Sequence, residues 1–141
     1  MRRSRSFVLL VAVCGLTACG GSGSHPAAPP AKLVHVRGSS TPGILLTPLG
    51  RDRIGIRTAA AVGGGRGQTS VPFAAVLYEQ DGTPIVYTNP QPGLYTRVRV
   101  TISSIAGNRV FVRGAPAPGT RVVVVGAEEL LGVQTGVGAE T

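Results

Sequence analysis

The spacing of turn-forming residues is the feature that most limits what this chain can fold into. The sequence has 141 residues, of which 21 are Gly and 11 are Pro. From Lys32 onward these residues divide the chain into short runs rich in Val, Ile and Leu. Strand-like runs that recur every eight to twelve residues, roughly, are typical of small β-proteins. We therefore expect an all-β domain at residues 32–141, a small antiparallel β-barrel or sandwich with one or two short helical turns.

Residues 94–102 give the clearest strand signal. Arg97 and Arg99 fall on one side of this segment and Val98 and Val100 on the other. A period of two with one apolar side predicts a half-buried antiparallel strand, with its arginines in solvent. The sequence also predicts extended segments at 33–36, 44–46, 56–62, 71–78, 85–88, 110–112 and 122–125, the last as a central strand.

Local turn chemistry predicts how some of these segments are joined. Asp81-Gly82 is a strong hairpin signal. Thr47 as N-cap with Pro48 at the first helical position predicts a short helical turn, which Gly55 ends. A second turn is predicted at residues 128–131.

Two glycine-containing segments are predicted to interrupt regular structure. Gly132 is expected to stop the second helical turn. The Gly-rich segment 63–70 has neither the Gly-Lys-Ser/Thr ending nor the following helix of a phosphate-binding loop, so it is predicted to be a flexible connection.

Residues 1–18 have the anatomy of a secretory leader. Three arginines lead into an apolar stretch over residues 7–15, which is shorter than the roughly 20 residues of a spanning helix. Leu-Thr-Ala-Cys follows at residues 16–19. This ending resembles the lipobox of bacterial lipoproteins, and the resemblance implies cleavage after Ala18, acylation of Cys19 and an anchor in the cell membrane on its extracytoplasmic side.

The segment 19–31 is predicted to be a lipidated tether. Its Gly, Ser, Pro and Ala residues cannot bury a core, and a segment so short keeps the following domain close to the membrane surface.

Charge argues against nucleic-acid binding. The formal net charge is +8, but removal of three leader arginines leaves 11 basic against 6 acidic residues, near +5. These charges are scattered, and only three Tyr and three Phe are present to stack on bases. A nucleic-acid interface needs a dense basic stripe, so solvated arginines that favour an anionic membrane surface are the better interpretation.

Candidate catalytic, metal and cofactor residues do not form a recognisable set. Cys14 leaves with the leader and Cys19 carries lipid, so no free thiol remains for a disulfide or a metal. His25 and His35 have no partner cluster, and the mature chain lacks methionine. The sequence therefore predicts a protein that is not an enzyme, with no cofactor and no metal site.

The second half of the chain resembles the C-terminal part of periplasmic adaptor proteins. These are the membrane fusion proteins of tripartite efflux pumps, notably those with RND-type transporters. The motifs are Val-Pro-Phe-Ala-Ala-Val-Leu-Tyr (71–78), Asp-Gly (81–82), Val-Arg-Val (98–100), Gly-Thr-Arg-Val-Val (119–123) and Gly-Ala-Glu-Glu-Leu (126–130). The resemblance implies a membrane-proximal β-domain that packs against an inner-membrane transporter.

A second, shorter segment extends the resemblance. Residues 46–59 resemble the strand that enters the same adaptor domain from its N-terminal side. Full adaptors carry a lipoyl-like domain, a helical hairpin and a β-barrel between the two segments, whereas only residues 63–70 intervene here. We therefore expect a minimal membrane-proximal domain with the middle of the adaptor deleted.

Two functions remain open from the sequence. The first is an accessory or docking module of an efflux or export system, with docking or self-association through strand edges and arginines such as Arg97 and Arg99. The second is a freestanding structural or small-ligand-binding envelope lipoprotein, which an apolar pocket between sheet and short helix would favour.

Overall fold

The computed structural model describes residues 28–136 and shows two antiparallel β-sheets with two short helices. The elements in chain order are β1 (Ala31–Val34), β2 (Gly43–Leu46), α1 (Pro48–Ile54), β3 (Arg57–Ala60), β4 (Val62–Gly65), β5 (Gln68–Pro72), β6 (Leu77–Tyr78), β7 (Pro84–Gln91), β8 (Leu94–Arg99), β9 (Thr101–Ala106), β10 (Arg109–Arg113), β11 (Arg121–Val125) and α2 (Ala127–Thr135). The predicted all-β class with short helical pieces is confirmed.

The larger sheet has the strand order β1-β2-β8-β7-β11-β3, with β6 pairing with β7. The smaller sheet has the order β4-β5-β10-β9. Neither sheet closes into a barrel within residues 28–136, so the barrel among the two predicted architectures is wrong. Strand β11 lies between β7 and β3, which confirms the central position predicted from its run of valines.

The larger sheet is covered on both faces. One face packs on the smaller sheet over a cluster of small apolar side chains: Ala61, Val71, Ala75, Val86, Val100, Val110, Val112 and Val122. The opposite face packs on the helices over a second cluster: Ile44, Leu46, Ile85, Tyr87, Tyr95, Val123, Ala127 and Leu130. Adjacent residues of β7 and of β11 enter different clusters, because successive side chains of a strand point to opposite faces.

Short breaks carry the chain from one sheet to the other. The segment 71–78, predicted as one strand, is broken by a 3-10 turn at Phe73–Ala75, so that β5 lies in the smaller sheet and β6 in the larger. The segment 94–102 breaks at Val100, where β8 ends in the larger sheet and β9 begins in the smaller. At each break, a segment that the sequence predicts as one continuous strand divides into two strands, one in each sheet.

The predicted caps of α1 and the predicted hairpin turn are present. The Thr47 side chain accepts a hydrogen bond from the Gly50 N–H at 3.0 Å, and Gly55 ends the helix in the left-handed region at φ 70°. Asp81 Oδ1 accepts a hydrogen bond from the Thr83 N–H at 2.9 Å, which closes the turn between β6 and β7.

Two expectations about glycine were wrong. Residues 63–70 are not a flexible break, because they belong to the β4–β5 hairpin. A Cβ at Gly64 would lie 2.8 Å from the Phe111 ring, so glycine lets that ring cover β4 closely. Gly132 does not stop α2, which continues to Thr135, because Leu131 and Val133 pack on the core and outweigh the roughly 1 kcal/mol that glycine costs in a helix.

Candidate functional site

The predicted lipidation site cannot be placed on this fold. Cys19, the leader and most of the tether lie outside the described residues 28–136. Strand β1 begins at Ala31, the last residue of the predicted tether. No helix in the described part of the chain is long and apolar enough to cross a membrane.

Arg97 does not lie in solvent as the alternating pattern of β8 predicted. Its Nη1 lies 2.5 Å from Glu79 Oε1, and the two side chains are only 16% and 14% exposed. Arg97 pairs across the sheet with Tyr87, so it shares the face that the helices cover. The prediction of a solvated side chain failed for this residue because the polar side of β8 lies on the same face as the buried Tyr87 cluster. Breaking so enclosed an ion pair leaves one charge without a partner, which typically costs about 3–5 kcal/mol.

Arg99, in contrast, remains accessible. Its side chain is 70% exposed, and its Nε lies 3.3 Å from Glu79 Oε2, near enough for an ion pair although the two atoms form no hydrogen bond. With its guanidinium so exposed, Arg99 contributes little to stability through this pair. Of the two arginines that the sequence singled out, Arg97 therefore stabilises the fold and Arg99 is accessible to a partner.

Arg99 lines a cleft of about 490 Å³ with Tyr78 and Leu131, which we call the Tyr78–Arg99 cleft. Tyr78 is 53% exposed. Asp81 also lines this cleft, and hydrogen bonds from Thr83, helped by the positive charge of Arg99, hold the pKa of its carboxyl below the usual value. The cleft thus offers an exposed aromatic ring, the exposed Arg99 guanidinium and the Asp81 carboxylate, beside the more enclosed Arg97–Glu79 pair.

A second and larger cleft of about 730 Å³ lies beside α1, the edge strand β3 and the tip of the β7–β8 hairpin. Three arginines from three separate elements line it, Arg51 of α1, Arg57 of β3 and Arg121 of β11. We call it the arginine cleft. Within residues 28–136 none of these arginines has a carboxylate within 4.0 Å, although Asp52 also lines the cleft.

The walls of the arginine cleft are held in place by hydrogen bonds. Arg121 Nε donates to Thr58 Oγ1 at 3.1 Å, which ties β11 to β3. Asn89 Nδ2 donates to the carbonyl oxygens of Gln91 and Leu94 at 2.6 and 2.9 Å, which fixes the hairpin tip. These bonds hold the lining residues of three elements in a defined arrangement.

Tyr95 forms the floor of the arginine cleft. It is 3% exposed, and burial raises the pKa of its hydroxyl, an effect that the nearby Arg51 charge opposes. Arg51 Nε is itself enclosed and has no hydrogen-bond partner among the described residues. The half-buried Arg51 therefore lies near the buried Tyr95 phenol, with its Nε enclosed.

Sequence reasoning missed the arginine cleft. Arg57 and Arg121 are 64 positions apart in the chain (121 − 57) and come together because β3 pairs with β11, with Thr58 opposite Val123. No local sequence pattern signals that pairing. The residues considered as metal ligands or catalytic groups do not gather: within residues 28–136 no three His, Cys, Asp or Glu side chains could hold a metal ion. His35 is exposed before the turn that precedes β2.

Comparisons with known protein families, with curated proteins and with solved structures found no match to this chain. The features of this chain that indicate a function are therefore its sequence motifs and the geometry of the two clefts.

Proposed function

We propose that the chain is a non-enzymatic lipoprotein, anchored in the cell membrane through Cys19, whose β-domain is an accessory or docking module of an efflux or export transporter. The predicted tether of about a dozen residues (19–31) would hold the β-domain close to the extracytoplasmic surface of the membrane. A transporter in the same membrane is within reach of a domain so placed.

The pairing of β3 with β11 is the observation that carries this proposal. Strand β3 belongs to the segment that resembles the entry strand of an adaptor domain, and β11 belongs to the segment that resembles its C-terminal part. The two pair antiparallel, with Ala59 opposite Val122. The β4–β5 hairpin at residues 62–72 closes the gap in which full adaptors carry their middle domains. This arrangement supports a domain that keeps the membrane-proximal portion of an adaptor without the rest.

The Tyr78–Arg99 cleft is the proposed contact with the transporter. Tyr and Arg dominate the energetics of protein interfaces, because each combines a large contact area with polar groups. Here both are more than half exposed and line the same cleft. The partner surface would carry a carboxylate to meet Arg99 and an apolar recess to take the Tyr78 ring.

The anchor is tested by cell fractionation of a bacterium that processes lipoproteins. Cys19→Ser is expected to stop acylation and move the protein from the membrane pellet to the soluble fraction. Cys14→Ser is the matched control, since the leader that contains Cys14 is removed, and it should leave the distribution unchanged. Retention of Cys19→Ser in membranes after a high-salt wash would show that another anchor dominates.

Docking is tested by purifying the full chain from its own membranes in several mild detergents and identifying bound transporters by mass spectrometry. Arg99→Glu is expected to reduce transporter recovery about tenfold, because it places a like charge opposite the partner carboxylate. Arg113→Glu reverses an exposed arginine at the end of β10, in the other sheet, and should leave recovery unchanged. Isolation of the unaltered chain as a lone monomer in every detergent would contradict the proposal.

A second candidate is the freestanding ligand-binding lipoprotein, for which the sequence predicts an apolar pocket between sheet and short helix. The arginine cleft lies beside a short helix, but its lining is polar and cationic, so it is not the pocket that was expected. An apolar ligand is therefore a poor fit, and the ligand would have to be an anion.

A further inference from the structure

We propose that the arginine cleft is a binding site for a phosphorylated organic anion, either a soluble phosphate ester or a phospholipid headgroup. The inference uses residues that have no part in the proposed transporter contact. Arg57 and Arg121 line a different cleft from Arg99.

The charge of the arginine cleft selects the ligand. Three guanidiniums and one carboxylate give its lining a net charge near +2. A phosphate monoester carries between about −1.5 and −2 near neutral pH and would neutralise that charge, whereas a single carboxylate would neutralise half of it. Guanidinium groups also match the geometry of phosphate oxygens through paired N–H donors.

The donors are positioned and unused. Arg121 Nε is engaged by Thr58, which orients the guanidinium and leaves its two amino groups without hydrogen-bond partners among the described residues. Arg57 is exposed on the edge strand β3. Because no carboxylate of the described residues lies within ion-pair distance of these arginines, an incoming anion does not have to displace a protein partner.

The size of the cleft indicates more than an inorganic ion. Sites for small organic ligands typically occupy about 300–1,000 Å³, and this cleft has a volume of about 730 Å³. A phosphate group held by the arginines would leave space for an attached alcohol or sugar. The amide of Gln91 and the carboxylate of Asp52, both in the lining, are suitable partners for hydroxyl groups on that portion.

The test is calorimetric titration of the full chain in a neutral detergent with two probes. Glycerol 3-phosphate represents a soluble phosphate monoester, and short-chain phosphatidic acid represents a lipid headgroup that is also a phosphate monoester. At least one probe is expected to bind, more weakly as salt is added. Arg57→Gln and Arg121→Gln should each weaken binding about tenfold or more, and Arg113→Gln, outside the cleft, should not. Both altered cleft residues are exposed, so folding should survive, which circular dichroism checks.

The outcomes separate the two sources of phosphate. Tighter binding of glycerol 3-phosphate would indicate a soluble ester, and tighter binding of phosphatidic acid would indicate a headgroup of the surrounding membrane. Absence of binding by both probes at millimolar concentration, or binding that Arg57→Gln and Arg121→Gln leave unchanged, would overturn the proposal. Transporter recovery with Arg121→Gln should remain normal, so failure here does not bear on the proposed docking function.

Discussion

Tyr87 makes the stability of this domain depend on pH in the alkaline range. The side chain is fully buried beneath α2, and its hydroxyl donates a hydrogen bond to Gln134 Oε1 at 2.7 Å. Burial raises the pKa of this phenol from 10.0 to about 12, with Arg97 opposing and Glu79 assisting the shift. The folded state therefore holds the proton at pH values at which the unfolded state has released it. The buried, protonated phenol therefore contributes fully to the free energy of unfolding below pH 10, and this contribution is lost as pH rises from 10 through 12.

The magnitude follows from the two pKa values. Between pH 8 and pH 11 the titration of Tyr87 should lower the free energy of unfolding by about 1.4 kcal/mol. Above pH 12 this loss approaches an upper limit of about 2.7 kcal/mol. Tyr87→Phe should remove this loss. At pH 8 the same change should lower the free energy of unfolding by about 0.5–1.5 kcal/mol, because the hydrogen bond to Gln134 disappears.

The assay is urea unfolding of the full chain followed by far-ultraviolet circular dichroism at pH 8, 10 and 11. Tyr78→Phe is the matched control: this phenol is 53% exposed, so its removal should leave the pH dependence of the unaltered chain in place. A fall in stability between pH 8 and 11 that is the same in Tyr87→Phe and in the unaltered chain would refute the role assigned to the Tyr87 hydroxyl.

Two further predictions concern the packing of α2 and of the glycine that precedes it. Leu130 of α2 is fully buried, so Leu130→Ala should lower the free energy of unfolding by about 2–5 kcal/mol. Leu49 is 57% exposed, and Leu49→Ala should change that free energy by less than about 0.5 kcal/mol. Equal effects of the two variants in urea unfolding would mean that α2 does not pack as described. Gly126 has φ 87°, and a Cβ there would lie 2.6 Å from Ile56 Cδ1, so Gly126→Ala should lower the melting temperature well beyond Gly136→Ala, where φ is 77° but the space is open. Similar melting temperatures for the two alanine variants would show that the clash at Gly126 is relieved easily.

The parts of the fold that sequence predicted correctly are those set by neighbouring residues. Thr47 and Gly55 cap α1 through contacts within a few positions of the chain, and Asp81 closes its turn through Thr83, two residues away. Capping and turn formation depend on residues within a few positions of each other, so a short stretch of sequence is enough to predict them.

The errors share a different cause, which is packing between distant segments. Regular alternation in β8 could not reveal that Arg97 is enclosed in an ion pair with Glu79, because that partner comes from another segment of the chain. Glycines 63–65 look like a flexible connection until β4 pairs with β5 and Phe111 is placed over Gly64. The arginine cleft likewise exists only once β3 and β11 pair. Tertiary contacts of this kind override local preference.

Strand β8 joins the two proposed sites, and this makes their independence testable. Tyr95, in the floor of the arginine cleft, and Arg99, in the proposed transporter contact, are four residues apart on this strand, which corresponds to about 13 Å at the rise of an extended chain. Sites at that separation without shared partners usually act additively, within about 0.5 kcal/mol. The double variant Arg99→Glu with Arg121→Gln should therefore recover the transporter as poorly as Arg99→Glu alone and bind phosphate probes as weakly as Arg121→Gln alone. If transporter recovery or phosphate affinity of the double variant differs from that of the matching single variant, the two sites are coupled. Occupancy of the arginine cleft would then alter docking, and β8 would transmit the change from one end to the other.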